Sequence, residues 1–244
     1  MKYPGTSSPF VSTSPGNGEL VPGSRGGSAD VGLKTGQCRI PRLRADASRN
    51  RERIVAAARE VFVEYGADAP LDEIARRAGV GNATVYRHFV DRRELSREVA
   101  LSVMRRLADR AETAVVEEAD PFEALRRYVH AAADERVGAL CLLLSGSVND
   151  HDPDVLEARD RLERAAEDVM VRARSSGQLR ADVAAGDLFL ALSQLTRPLP
   201  GRCCVDFDRF VHRHLEVFLD GLQAPARSIL PGSAATIEEL RKPA

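Results

Sequence analysis

The stretch over residues 71–89, LDEIARRAGVGNATVYRHF, limits what this chain can be more than any other. Leu71, Ile74, Ala75 and Ala78 fall on one side of a short helix. Pro70 fits its first turn, and Asp72 and Glu73 complement the positive end of its dipole. Gly79 permits the positive φ of a sharp turn, and Ala75 and Gly79 are small enough for a second helix to cross closely. That second helix is expected over 82–89, with Gly81 as an acceptable N-cap and Val85 and Phe89 spaced for burial. The pattern is helix, tight turn, helix.

Burying Val85 and Phe89 leaves Asn82, Ala83, Thr84, Tyr86, Arg87 and His88 on the outside of the second helix. Asn82 carries a donor and an acceptor for a base edge. Ala83 lets the backbone approach, or touches a thymine methyl. Thr84 and Tyr86 offer neutral hydroxyls to phosphate oxygens. His88 donates in either protonation state, and Arg92 adds a cation at the start of the next helix. DNA is the partner this mixture suits. Charge agrees: from Arg39 to Arg93 there are twelve Lys/Arg against eight Asp/Glu, whereas the whole chain nets −1.

The first helix is expected over 47–65, with Ile54, Ala58, Val61, Phe62 and Tyr65 as its apolar stripe and Gly66 as its C-cap. Arg49, Arg51 and Arg53 then crowd the first turns, where cations oppose the helix dipole. A phosphate would offset that cost, so Arg49 and Arg53 join the candidate DNA contacts; a solvated charged face is the alternative. Residues 1–45 are rich in Gly, Pro, Ser and Thr without an apolar period, and read as a disordered arm. Its basic end (Arg39, Arg42, Arg44) can reach DNA; a solubilising tail or a start codon placed too far upstream explains it as well.

The segment LDEIARRAGVGNATVYRHFVDRREL resembles the DNA-binding segment of the TetR family of one-component transcriptional regulators, and the helical region after it resembles the regulatory half of actinobacterial members. Ile74, Ala75, Ala78, Gly79, Val80, Thr84, Tyr86, His88, Phe89 and Leu95 match the family pattern, and Arg92 replaces its Lys. The likeness covers about 55 residues, Arg39 to Leu95. Pro70 stands where the family often has Thr, and Gly81 where it often has Ser, so one phosphate-binding hydroxyl is missing. The resemblance implies a repressor that binds a palindromic double-stranded operator as a homodimer and is released by a small-molecule effector. It also implies that the helix after the motif joins the two halves and alters the spacing of the recognition helices.

Helical periodicity continues to residue 222, without strand-period segments or repeats. The expected fold is all-α: arm 1–45, a three-helix helix-turn-helix DNA-binding domain over 46–92, a helical sensing and dimerisation domain over 93–224, and a flexible tail over 225–244. Helices are expected over 93–118, 121–136 (N-cap Asp120), 137–148, from Asp152-Pro153-Asp154 to 175, 183–196 and 207–222. The last two are apolar on more than one side, as if buried on several. The resemblance implies a four-helix dimer interface there, with Leu188, Leu195, Phe210, His214, Val217 and Phe218 as candidates. A ligand pocket is expected among the regulatory helices. Phe122, Leu125, Tyr128, Leu140, Leu143, Leu144, Phe189 and Leu192 are its candidate lining, though each also reads as plain core.

Other chemistries find little footing. No GxSxG, P-loop, HExxH or dinucleotide motif occurs, so an enzyme is not expected. Cys38, Cys141, Cys203 and Cys204 lack CxxC spacing. Adjacent Cys203-Cys204 pair only under strain, and His212 and His214 project from different faces. His151 between Asp150 and Asp152 reads as a polar loop rather than a metal site. No cofactor or metal is expected. No signal-peptide core or transmembrane run is present, which makes the cytoplasm the expected location, with no membrane partner.

Overall fold

Residues 40–66, 68–144, 148–149, 151–197 and 207–241 are described by a computed structural model. They form α1 (Ile40–Tyr65), α2 (Leu71–Ala78), α3 (Asn82–His88), α4 (Arg92–Glu117), α5 (Pro121–Asp134), α6 (Val137–Leu144), α7 (Pro153–Ser175), α8 (Ala185–Leu195), α9 (Phe207–Leu222) and α10 (Ile237–Arg241). The fold is all-α. Among the described residues an isolated bridge between Leu179 and Gln223 is the one β pairing.

Local chemistry sets the helix ends. Asp91, Asp120 and Asp152 each sit at an N-cap, and each side chain accepts a backbone N–H of the first turn. Pro121 and Pro153 follow two of these caps at the first helical position. Gly79 ends α2 in the left-handed region, at φ 64°.

The first three helices close around Ile54, Phe62, Ile74, Val85 and Phe89, none more than 2% exposed. Full burial of each stabilises the fold by about 1.5–3 kcal/mol. Leu95 and Val99 carry the same core into α4, which then packs along α7 and α5. One apolar cluster therefore runs from the helix-turn-helix into the C-terminal helices, with α4 as its spine.

Three expectations change. α1 begins at Ile40, reaching into the arm expected over 1–45; residues 1–39 lie outside the described residues. Pro41 is tolerated in a first turn, and a polar extension needs no apolar period once α1 has nucleated. Arg49, Arg51 and Arg53 consequently lie turns inside α1, beyond the reach of its dipole, and that argument for an anion fails. Tyr65, at the end of the helix, is 59% exposed rather than part of the stripe. The segment expected to be a flexible tail from 225 onward folds back on α8 and contains α10. Its start is a capping box: Glu239 N donates to Thr236 Oγ1 (3.2 Å), and Thr236 N donates to Glu239 Oε2 (2.9 Å).

Candidate DNA-binding face and ligand cavity

α2 fixes α3 from beneath. Val80 N donates to Ala75 O (3.0 Å), closing the turn that Gly79 permits. α1 reaches the far end: the Arg51 guanidinium lies 4.6 Å from the centre of the Phe89 ring, donates to His88 O (3.2 Å) and pairs with Glu98 of α4 (3.0 Å). Arg77 ties α2 to α1 through a bidentate contact with Glu64 (2.6 and 2.8 Å). This pairing holds the Glu64 carboxyl below its ordinary range.

So mounted, α3 turns Gly81, Asn82, Ala83, Tyr86 and Arg87 to solvent, with Thr84 and His88 half-exposed. Tyr86 is 57% exposed, with its ring and hydroxyl on the solvent side of α3. Arg92 is half-exposed at the first position of α4. Arg49 is exposed beside Asp46, with which it pairs. The exposed Arg53 side chain overlies Gly79, where an added Cβ would meet its Nη2 at 2.6 Å. Asn82 differs from expectation: its amide nitrogen donates one hydrogen to Asp72 of α2, which leaves its oxygen and its second N–H for a base edge.

A cavity of about 510 Å³ lies among the C-terminal helices. α4 contributes Ala100, Val103, Met104 and Leu107, and α7 contributes Arg159, Leu162, Glu163 and Ala166. Of the expected lining, Tyr128, Leu140, Phe189 and Leu192 are there. Phe122 and Leu125 are core, at 4% and 0% exposure, on the α5 turns before the lining residues Tyr128 and Ala132. Leu143 and Leu144 lie in α6, but their side chains fall outside the described residues. Burial pushes the Tyr128 phenol up, and no described residue hydrogen-bonds its hydroxyl. It is a polar handle in an otherwise mostly apolar lining.

Between cavity and DNA face stands Glu135, whose side chain is 4% exposed. It accepts from Arg106 of α4 (2.8 and 2.6 Å) and also from Arg59 of α1. Arg106 adjoins the lining residue Leu107, and Glu135 falls between the lining residues Ala132 and Val137. No periodic signal marks this carboxylate in the sequence, since its partners come from distant helices.

The profile "Bacterial regulatory proteins, tetR family" matches residues 54–99, and "Transcriptional regulator SbtR-like, C-terminal domain" matches 120–224. The structure is similar to a TetR transcriptional regulator of Streptomyces coelicolor at 32% identity and a TM-score of 0.57, over 72% of this chain and 99% of that one. The chain belongs to the TetR family. A second TetR-family structure, from Mycobacterium vanbaalenii, is also 32% identical, with a TM-score of 0.56 over 75% of this chain and 99% of that one. The HTH-type regulator SrpR of Pseudomonas putida is 49% identical over 59 residues, 24% of this chain and 28% of that protein.

As a TetR-family member the chain is a DNA-binding transcriptional regulator, not an enzyme. The first matched region holds α2, α3 and the start of α4, the face described above. The second ends at 224, before α10. Among the described residues no helix is long and apolar enough to cross a membrane, and no group of three or more His, Cys, Asp or Glu is arranged to hold a metal. His212 stacks on His130, with Nδ1 atoms 2.6 Å apart, whereas His214 faces outward and His151 is exposed. Cys203 and Cys204 lie outside the described residues.

The residues expected at a TetR-type dimer interface fall into three groups. Phe210, His214 and Val217 form an exposed stripe along α9, with Phe210 52% and Val217 66% exposed. Leu195 and Phe218 are half-buried against the protomer's own core. Leu188 is corrected: at 3% exposure it points into the cavity, on the opposite side of α8 from Leu190.

Proposed function

We propose that this regulator is a repressor that binds a palindromic operator as a homodimer and leaves it when a small, largely apolar effector fills the cavity. The observation that carries this reading is the double duty of α4. Its first turns, Leu95 and Val99, belong to the core under the helix-turn-helix, and its middle, Val103 to Leu107, lines the cavity. An occupant that displaces the middle of a continuous helix moves its first turns. The Glu135 clamp gives α1 a second link to the same displacement. Release then requires only that the effector bind one recognition-helix spacing better than the other.

In this reading Tyr86, Thr84, His88, Arg87 and Arg92, with Arg49 and Arg53 beside them, hold phosphates, while Gly81, Asn82 and Ala83 approach the bases. The exposed α9 stripe supports the dimer, and exposed Gly221 continues it one turn beyond Val217. One seven-residue helix makes few base contacts, so two copies on successive major grooves supply the specificity.

The test is operator release. Anisotropy of a labelled operator is followed as apolar compounds are added, each also scored for thermal stabilisation of the free protein. Compounds that stabilise it should release the DNA, and Ala166→Phe, which fills the cavity, should abolish both effects. Stabilising compounds that leave operator affinity unchanged would overturn the effector reading.

A further inference from the structure

One wall of the cavity is supplied by the segment after α9. Ile237 and Leu240 of α10 are part of its lining, and α10 packs on α8. Leu240 is 39% and Phe189 40% exposed, so α10 stands at the cavity's open side.

The route to this position is pinned and then loose. Arg180, itself 6% exposed, donates to Ser228 O (2.8 Å) and Gly221 O (3.1 Å), which fastens the chain as it leaves α9. Ala235 N then donates to Asp187 Oδ1 (3.1 Å) at the start of α8. Ile229 to Ser233, between these pins, are exposed, and Ile229 is 97% so. At the second pin the backbones nearly touch: a Cβ on Gly186 would meet Ala235 O at 2.3 Å. Only glycine admits the strap there.

We propose that α10 is a gate on the effector cavity, displaced by the apolar effector when it enters; this rests on the reading of the cavity as the effector site. Five residues cannot hold a helix in water, so α10 persists only while docked and leaves as a unit. The helices that build the rest of the cavity lie within the two matched regions or between them, whereas α10 lies past residue 224. The gate thus lies outside both matched regions. It lowers the effector's apparent affinity by the fraction of time it stands open.

Gly186→Ala tests this without touching the lining. Alanine favours α8, yet its methyl expels Ala235. Binding of 1-anilinonaphthalene-8-sulfonate is titrated by fluorescence into the full chain, Gly186→Ala, a chain ending at residue 234, and Ala166→Phe. A gate closed most of the time gives both strap variants an apparent affinity roughly tenfold tighter than the full chain. Hydrogen exchange at residues 236–241 of the full chain should also speed up when the probe binds. Equal or weaker binding in both strap variants, with Ala166→Phe still blocking the probe, would leave the cavity standing and overturn the gate. Probe binding indifferent to Ala166→Phe would overturn the cavity reading and the gate with it.

Discussion

Tyr86 is the residue on which most of the DNA-binding argument converges. Its hydroxyl offers one hydrogen bond to a phosphate, worth about 1 kcal/mol, and a dimer makes the contact twice. Tyr86→Ala is therefore expected to weaken binding roughly thirtyfold on specific and unrelated DNA alike, as read by anisotropy. An Asn82 substitution should instead change which sequence is preferred. Unchanged affinity in Tyr86→Ala at physiological salt would remove it from the interface. Glu135 carries the other residue-scale expectation. Glu135→Gln leaves Arg59 and Arg106 without their carboxylate, at a cost of ~2–3 kcal/mol, below a fully buried pair because both guanidiniums reach solvent. Denaturant melts measure that loss. The two residues were not equally legible. Tyr86 announces itself as an aromatic on the polar side of a short helix. Nothing local marks Glu135, whose partners lie 76 and 29 positions away.

Among the elements, α4 and α7 are joined by charge as well as by apolar packing. Arg97 of α4 binds both Asp152 oxygens (2.6 and 2.8 Å) and Asp154 (2.6 Å) at the start of α7. Arg161 does the same in reverse, reaching Asp109 and Glu112. The Arg97 guanidinium holds the Asp152 carboxyl down at about 2. A depressed carboxyl stabilises the fold above its unfolded value near 3.8, and that contribution is lost as pH falls from there through about 2. Arg97→Gln should therefore flatten the loss of stability between those pH values, as read by circular dichroism during acid titration. From α1 to α9 the existence of each helix was readable, because caps and apolar spacing are local. The misreadings fell at the two ends. α1 extends into a polar stretch, and α10 is too short for a period to show, although its Thr236-x-x-Glu239 box was in plain view.

For the whole molecule, one apolar cluster runs from the helix-turn-helix to the helices around the cavity, which is the physical basis of the coupling proposed above. Of the six expected lining residues whose side chains are described, four line the cavity, and the α4 and α7 walls were missed, since a core position and a cavity wall share one pattern. Sequence spacing also misplaced Leu188, whose side of α8 is decided by tertiary packing. The outward stripe on α9 predicts that Val217→Glu yields monomers by sedimentation and reduces operator binding, while secondary structure stays intact. The central claim is that two copies of α3 read one palindrome. DNA selected from a random library by the full chain addresses it most directly, with stoichiometry on the winning duplex measured by sedimentation. The account requires an inverted repeat with half-site centres about one helical turn apart, bound by a protein dimer and held far more weakly as a single half-site. A winning sequence without two-fold symmetry, bound by one protomer as tightly as by two, would contradict it.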